Sequence, residues 1–209
     1  MFTGLVETAG RIVRFGEGTG GYRLEIDHGG HFADTAEGDS IAVNGCCLTA
    51  VGTGGQTLSF DLLAETVRRT GFAGLGEGNR VNLERSLLPT TRMGGHFVSG
   101  HIDGTGRVEV FERRGDDYYL RVAVPEDGRR YLAPKGSIAL DGVSLTVAEA
   151  GDEGFAVWLI PHTLAVTNLG ERCAGDPVNL EYDLIAKYVE RRLESRAPGG
   201  VDGAGEGVR

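Results

Sequence analysis

The sequence predicts an all-β protein built from two similar barrels followed by one helix. The chain has 209 residues, a length that accommodates two domains of roughly 100 residues each. Three observations support this class: thirty-five glycines separate many short apolar runs, the chain repeats itself once, and one amphipathic segment lies near the C-terminus. Tight turns between many short strands are typical of a barrel or a sandwich.

Three blocks of sequence recur in the same order at a nearly constant spacing. Residues 4–12 resemble the segment that starts 96 positions later, and residues 40–49 match residues 137–146 at six of ten positions. Val-Asn-Leu-Glu occurs at residues 81–84 and again at 178–181. Two long copies indicate two tandem domains rather than a solenoid, which needs three or more short repeats. We therefore predict an N-terminal barrel over residues 1–96 and a C-terminal barrel over residues 97–182.

Each copy contains a hairpin signal between two predicted strands. Asn44-Gly45 follows residues 40–43, and Asp141-Gly142 follows residues 137–140. Asn-Gly and Asp-Gly favour two-residue hairpin turns, because both central residues need positive φ. The remaining strands give about six strands per barrel and are predicted at residues 10–14, 22–26, 46–51, 57–62, 81–84 and 143–147 and at their equivalents in the other copy.

One segment departs from the strand pattern. Residues 183–194 carry an apolar stripe at helical spacing, made of Leu184, Ile185, Tyr188, Val189 and Leu193. This helix either packs on its own barrels or mediates oligomerisation, and the sequence favours neither. Residues 195–209 are rich in glycine and are predicted to be disordered.

Composition excludes several functional classes. The formal net charge of −9 disfavours a nucleic-acid partner, and no run approaches the ~18 apolar residues of a membrane helix. The N-terminus has no signal-peptide pattern, and three cysteines make neither a disulfide framework nor a zinc cluster, so we expect a cytoplasmic protein. No motif for a metal or for a nucleotide is present.

Strand alternation distinguishes the two adjacent cysteines. Apolar and polar side chains alternate over residues 143–147, and the repeat transfers this register to residues 46–50. Cys46 is therefore predicted in the core, and Cys47, the repeat partner of Ser144, on the polar side. From this pattern alone, Cys47 is either a chemical group or a small filler.

Two histidines mark differences between the copies. His101 replaces Leu5 of the first copy, and His162 replaces Glu65. Both are candidates for proton exchange near neutral pH. The other three lie in connectors, where we predict solvated side chains for His28 and His31 and a satisfied turn residue at His96.

Together these motifs resemble the riboflavin synthase family of the alpha-chain type. The resemblance is carried by residues 1–7, 44–49, 94–103, 141–146 and 160–164, and it extends to about residue 194 with the same duplication. It implies two six-stranded Greek-key barrels, a homotrimer held by the C-terminal helix, and no cofactor and no metal. The sequence leaves open whether the trimer associates with a lumazine synthase shell.

The resemblance also implies a reaction. Two molecules of 6,7-dimethyl-8-ribityllumazine exchange a four-carbon unit, and one becomes riboflavin while the other becomes 5-amino-6-ribitylamino-pyrimidinedione, the last step of riboflavin biosynthesis. Each barrel binds one lumazine, and each active site forms where the N-terminal barrel of one subunit faces the C-terminal barrel of another. Which barrel holds the donor stays open.

Two groups of ligand contacts follow from the resemblance. The first contact group contains Gly4, Leu5, Val6, Ser144, Leu145, Thr146, Ile160, Pro161, His162, Thr163, Leu164 and Ala165. The second contact group contains Cys47, Leu48, Thr49, Asp61, Leu62, Leu63, Ala64, Glu65, Thr66, Gly100, His101 and Ile102, with Lys135 contributing. The positions that match catalytic residues of the family are Phe2, Ser40, Cys47, His101, Asp141 and Ser144.

The implied chemistry needs a base and a nucleophile. One lumazine loses a proton from its 7-methyl group, and a nucleophile or water adds at C7 of the other. His101, Ser144 and Cys47 form the candidate cluster for these steps. The competing interpretation is that these side chains only shape the pockets and that the acidity of the substrate carries the reaction.

Two other functional classes are weighed against catalysis. A non-catalytic antenna that resembles lumazine protein would hold one ligand unchanged, but the retained Cys47, His101 and Ser144 argue against it. A flavin-binding barrel of a reductase would need a nucleotide-binding domain, for which 209 residues leave no room.

Overall fold

The computed structural model describes residues 1–18, 20–90 and 92–195, and it contains two closed six-stranded antiparallel barrels. The predicted fold class is thereby confirmed. The first barrel comprises β1 (Thr8–Gly18), β2 (Gly21–Asp27), β3 (Ser40–Val43), β4 (Cys46–Gly54), β5 (Thr57–Leu62) and β6 (Arg80–Arg85). The second comprises β7 (Gly104–Arg114), β8 (Asp117–Ala123), β9 (Ser137–Leu140), β10 (Val143–Ala150), β11 (Gly154–Leu159) and β12 (Pro177–Tyr182). The predicted disordered tail lies, from residue 196 onward, outside the described residues.

The two barrels have the same circular strand order. The first reads β1-β2-β5-β4-β3-β6, and the second gives the equivalent order when each strand is shifted by six. Register shifts bend β1 between Ile12 and Arg14 and β7 between Val108 and Val110, at matching places in the two copies. Such bulges increase the local twist and help a sheet to close on itself. Each barrel encloses its own apolar core.

Two short helices were not predicted. Helix α1 (Ala64–Arg69) follows β5, and α2 (Pro161–Val166) follows β11. Short 3-10 helices lie at Gly71–Gly74, Glu126–Tyr131 and Asn168–Glu171. A six-residue helix is less than two turns long, so it has no apolar periodicity that a sequence pattern could reveal.

The two predicted hairpin turns meet where the barrels touch. Asn44 and Asp141 have φ angles of 44° and 43°, and each is followed by a glycine with positive φ, as the turn chemistry requires. A Cβ atom on Gly45 would lie 2.7 Å from the backbone nitrogen of Gly142. Glycine at these positions therefore serves both the turn and the close approach of the barrels.

A buried hydrogen-bond network joins the barrels around these turns. The Asn82 amide donates to the backbone oxygen of Asp141 at 2.9 Å, and its repeat partner Asn179 donates to the backbone oxygen of Asn44 at 2.9 Å. The Asp141 carboxylate accepts from the backbone N–H of Asn179 and pairs with Arg172 at 2.6 Å. Buried polar groups that are satisfied in this way fix one relative orientation of the barrels.

The C-terminal helix α3 (Leu184–Glu194) confirms the helical prediction. Its polar face meets the second half of the chain, where Lys187 pairs with Asp103 at 2.6 Å and Glu194 accepts from Arg130. The apolar stripe faces away, so Tyr188 is 70% exposed and Ile185 is 60% exposed. The helix therefore contacts its own chain through its polar face, and the oligomerisation expected of the stripe stays a prediction. No helix in the described part of the chain is long and apolar enough to span a membrane.

One connector histidine corrects the sequence analysis. His28 is buried, not solvated, and its Nδ1 accepts a hydrogen bond from the backbone N–H of Phe32 at 3.1 Å. The connector after β2 folds back so that Phe32 enters the core of the first barrel and covers His28. His31 is exposed, as predicted, and Cys46 is buried while Cys47 is half-buried, which confirms the register of β4.

Candidate active site

Each barrel receives a short segment from the other half of the chain. Residues 2–6 precede β1 of the first barrel but lie against the second barrel. The backbone N–H of Ser144 on β10 donates to the oxygen of Gly4 at 2.8 Å, and Val6 packs on the core of the second barrel. The structure therefore brings together residues of the first contact group that are about 140 positions apart in the sequence.

The reciprocal arrangement builds the second contact group. Residues 98–102 precede β7 of the second barrel but lie against the first. The backbone N–H of Cys47 on β4 donates to the oxygen of Gly100 at 2.8 Å, and Ile102 packs on the core of the first barrel. We call residues 2–6 and 98–102 the exchanged segments.

Two buried glutamates hold the exchanged segments. The Glu84 carboxylate accepts from the backbone N–H and the hydroxyl of Thr3, at 2.7 and 2.8 Å, and from the N–H of Gly4 at 3.0 Å. Glu181 accepts three equivalent bonds from residues 99–100 at 2.6 to 2.9 Å. Burial raises the pKa of Glu84, and the bonds from Thr3 and Gly4 oppose that shift. Neither glutamate was predicted as a site residue, although each ends the Val-Asn-Leu-Glu block.

Phe2 lies between the barrels and lines the surface of neither contact group. Its side chain is fully buried against Ala42, Val98 and Ala139, and its backbone pairs with that of Val98. A Cβ atom on Gly100 would lie 2.9 Å from the Phe2 ring. The Phe2 ring therefore packs against one exchanged segment on its inner side.

Asp141 is a second predicted catalytic residue that lies in the inter-barrel network. Its carboxylate is 2% exposed and is engaged by Arg172 and by the backbone of Asn179. It stands in the turn that leads into β10, three residues before Ser144. It can thus act on Ser144 through the hairpin rather than by direct contact with a ligand.

Ser40 lines a cavity beside the first exchanged segment. The cavity has a volume of about 530 Å³ and is also lined by Thr3, Leu5 and Arg85. Arg85 makes bidentate contacts to the carboxylate of Glu7 on one side and to that of Asp34 on the other. Ser40 pairs in register with Thr49, so it lies at the edge of the second contact group.

Ser144 has a partner that the sequence analysis did not assign to it. The Nδ1 atom of His96 lies 2.7 Å from the Ser144 hydroxyl oxygen, and the Nε2 atom of His96 is buried without a hydrogen-bond partner among the described residues. Burial lowers the pKa of His96, so its imidazole is neutral near pH 7. His96 was predicted to be a satisfied turn residue; instead one of its ring nitrogens faces Ser144 and the other is unsatisfied. The Gly94-Gly95 pair before it was the available signal.

The surfaces that carry the first and the second contact group, which we call the ligand faces, expose large apolar side chains. Leu63, beside α1, is 68% exposed, and its repeat partner Ile160, beside α2, is 55% exposed. Leu5 is 52% exposed, and His101 is also exposed with its backbone N–H directed at the hydroxyl of Ser99. The structure thus leaves these apolar side chains in contact with solvent.

Some predicted contacts are placed differently from the rest of their group. Lys135 belongs to the second barrel, where its N–H donates to Val147 at 2.7 Å, whereas the second contact group surrounds the first barrel. Leu48 and Leu62 turn their side chains into the core of the first barrel, so only their backbone groups can face a ligand. Among the described residues, no cluster of potential ligands could hold a metal ion.

Comparison with known families matches both barrels separately. The family described as the lumazine binding domain matches residues 3–86 and again residues 99–183. The chain is 40% identical over 193 residues to riboflavin synthase of Actinobacillus pleuropneumoniae, which covers 92% of this chain and 90% of that protein. It is 44% identical over 202 residues to riboflavin synthase of Mycobacterium tuberculosis (strain ATCC 25618 / H37Rv), with 93% and 99% covered. The chain therefore belongs to the riboflavin synthase family of proteins with two lumazine binding domains.

Solved structures support the same fold. LumP complexed with riboflavin superposes with a TM-score of 0.81 at 28% identity, over 87% of this chain and 99% of that chain. LumP complexed with 6,7-dimethyl-8-(1'-D-ribityl) lumazine superposes with a TM-score of 0.78, over 87% and 98%. LumP, which shares this fold, thus binds both a flavin and a lumazine.

Proposed function

We propose that the protein is a riboflavin synthase, which converts two molecules of 6,7-dimethyl-8-ribityllumazine into riboflavin and 5-amino-6-ribitylamino-pyrimidinedione. The observation that carries the proposal is the reciprocal exchange of residues 2–6 and 98–102. It builds two equivalent but non-identical ligand faces in one chain. The relatives named riboflavin synthase, which match nearly the whole chain, support the same conclusion.

A dismutation explains why the chain is duplicated. Two copies of one substrate must meet, so two similar faces suffice. Holding both reactants together lowers the activation barrier by several kcal/mol, up to ~7–11 kcal/mol. The two faces must also differ, because one lumazine gives the four-carbon unit and the other receives it. Cys47 against Ser144 and Leu5 against His101 supply such differences.

The proposed chemical roles fall on residues that reach the ligand faces. His101 is exposed and can accept the proton of the 7-methyl group, and Ser144 and Cys47 lie half-buried at the two faces, where each can direct a nucleophile or water to C7. Phe2 and Asp141 act from behind these residues.

We further propose a homotrimer in the cytoplasm. The exposed stripe of α3 supports assembly, since Tyr188, Val189 and Leu193 are each more than half exposed on one helix face. The exposed Leu63 and Ile160 support a site that closes only when the first barrel of one subunit meets the second barrel of another. The three cysteines are all free, which supports a reducing compartment.

The decisive experiment is turnover by the purified protein. We expect riboflavin fluorescence to appear on incubation with the lumazine alone, with two lumazines consumed per riboflavin formed and without an added metal or cofactor. Consumption of one lumazine per riboflavin, or no riboflavin at all, would contradict the proposal.

The second candidate is ligand storage, as the structural similarity to LumP suggests. A storage protein would bind the lumazine stoichiometrically and return it unchanged after denaturation. Chromatography of the released ligand therefore separates the two functions, because an active synthase returns riboflavin and the pyrimidinedione.

A further inference from the structure

We propose that His96 is the positioning residue for Ser144, and that it orients the Ser144 hydroxyl so that its oxygen accepts from, or directs water to, the lumazine at the second barrel. The inference rests on the riboflavin synthase activity proposed above. It assigns a role to the connector between the barrels.

The connector approaches Ser144 too closely for the contact to be incidental. The N–H of His96 donates to the backbone oxygen of Thr3, which anchors the connector on the first exchanged segment. A Cβ atom on Gly95 would collide with that oxygen and would lie 3.0 Å from the Ser144 hydroxyl oxygen, and one on Gly94 would lie 2.7 Å from Leu5. Glycine at position 95 therefore lets the connector lie against this face and place the imidazole beside Ser144.

Positioning of the Ser144 hydroxyl requires one tautomer of the His96 ring. Glu181 at the end of β12 and Asp183 at the start of α3 are the carboxylates that act on the ring, and both favour positive charge on it. We assign the hydrogen of the neutral ring to Nε2, which leaves Nδ1, at 2.7 Å from the Ser144 hydroxyl oxygen, as the acceptor. The Ser144 hydroxyl then donates to Nδ1, and its oxygen lone pairs stay available to the ligand.

The repeat partner of Ser144 has no such support. The hydrogen bonds of the described residues include none to the thiol of Cys47, although its backbone bond to Gly100 copies that of Ser144 to Gly4. The backbone frames of the two faces are therefore equivalent, while one carries an oriented hydroxyl and the other an unsupported thiol. His96 makes the faces chemically unequal, as a reaction between a donor and an acceptor requires.

Two isosteric variants test the role of His96. The amide of an asparagine superposes on Nδ1 of an imidazole, whereas that of a glutamine superposes on Nε2. We expect His96→Gln to lower kcat about tenfold, which corresponds to about 1.4 kcal/mol, with KM within about twofold of wild type. His96→Asn should recover most of that loss, and the exposed His31→Gln should behave as wild type.

The pH profile and a double-mutant cycle separate positioning from packing. Protonation turns Nδ1 into a donor, so wild-type kcat should fall on the acid side of pH 6.5. The part of this fall that His96 causes should be absent in His96→Asn, because an asparagine amide does not titrate. If His96 acts through Ser144, adding His96→Gln to Ser144→Ala should cost less than about twofold. Equal losses in His96→Asn and His96→Gln, or full additivity with Ser144→Ala, would overturn the proposal.

A measurement independent of turnover keeps the two proposals distinct. The nitrogen chemical shifts of the His96 ring should show hydrogen on Nε2 in the wild type, and Ser144→Ala should raise the shift of Nδ1 toward that of a nitrogen without a hydrogen-bond donor. If the wild type forms no riboflavin but shows this tautomer, the proposed function fails and the pair stands. If riboflavin forms but the hydrogen is on Nδ1, the inference about His96 fails and the function stands.

Discussion

Truncation of Phe2 to alanine should destabilise the contact between the barrels rather than either barrel. The Phe2 side chain is fully buried, and its apolar neighbours Ala42, Val98 and Ala139 come from both halves of the chain. A buried phenylalanine removes ~150–250 Å² from water, which at ~25 cal/mol per Å² corresponds to about 4–6 kcal/mol. Measured Phe→Ala substitutions in cores cost ~3–5 kcal/mol. Two closed barrels cannot collapse into the cavity, so we expect a loss near 4 kcal/mol by these estimates.

Urea unfolding with two probes measures this loss. Circular dichroism reports both barrels, whereas the single tryptophan, Trp158 on β11, reports the second barrel. Wild type should unfold with coincident transitions, and Phe2→Ala should shift both and separate them, because the coupling between the barrels is weakened. The matched control is Phe97→Ala, whose side chain is 46% exposed and whose loss should cost less than about 1 kcal/mol.

The result also distinguishes positioning from direct catalysis. If Phe2→Ala loses turnover while its free energy of unfolding changes by less than about 1 kcal/mol, the ring must contact the ligand. The assignment of Phe2 to a support behind Gly100 would then be refuted.

Three further predictions concern assembly, chemistry and pH. Deleting the chain from Leu184 onward should give monomers in sedimentation and abolish turnover, and a surviving trimer would exclude α3 as the assembly element. Cys47→Ser should lower kcat about a hundredfold at unchanged lumazine affinity, within the ~10²–10⁴ range of acid–base groups; a change below threefold in steady-state assays would favour pocket shaping alone. Burial lowers the pKa of both His28 and His96, so the unfolded chain binds more protons below pH 6.5 than the native one. The free energy of unfolding from denaturant titrations should therefore fall as the pH decreases from 6.5 through their native pKa values, and His28→Gln should flatten that decline.

Features fixed by local chemistry were predictable from the sequence. Asn44-Gly45 and Asp141-Gly142 form the expected turns because asparagine, aspartate and glycine tolerate the positive φ that these turns require. Alternation on β4 correctly separates buried Cys46 from half-buried Cys47, and burial raises the pKa of Cys46 to about 12, as expected of an inert thiol.

Features that depend on distant parts of the chain were not predictable. The bond from Ser144 to Gly4 joins residues that no local pattern relates, and the same holds for the carboxylate of Glu84 beneath Thr3. His28 was predicted to be solvated because its neighbours are glycines, but a single phenylalanine four residues on draws the connector inward. The resemblance to a family grouped the ligand contacts, and only the coordinates show how the chain brings them together.

Each exchanged segment is joined by the chain to one barrel but packs on the other, so the two repeats of the sequence do not fold as two independent units. Each barrel is contacted by the exchanged segment of the other half of the chain. Cleavage of the connector between β6 and the second exchanged segment would therefore leave two fragments that stay associated through these segments. The same exchange could form between two identical single-barrel chains, each of which contributes its segment to the other barrel, as in a domain-swapped dimer. Fusion of two such copies into one chain preserves the exchange of segments and lets the two segments diverge in sequence. A symmetric dimer can thereby become one chain with two non-identical barrels.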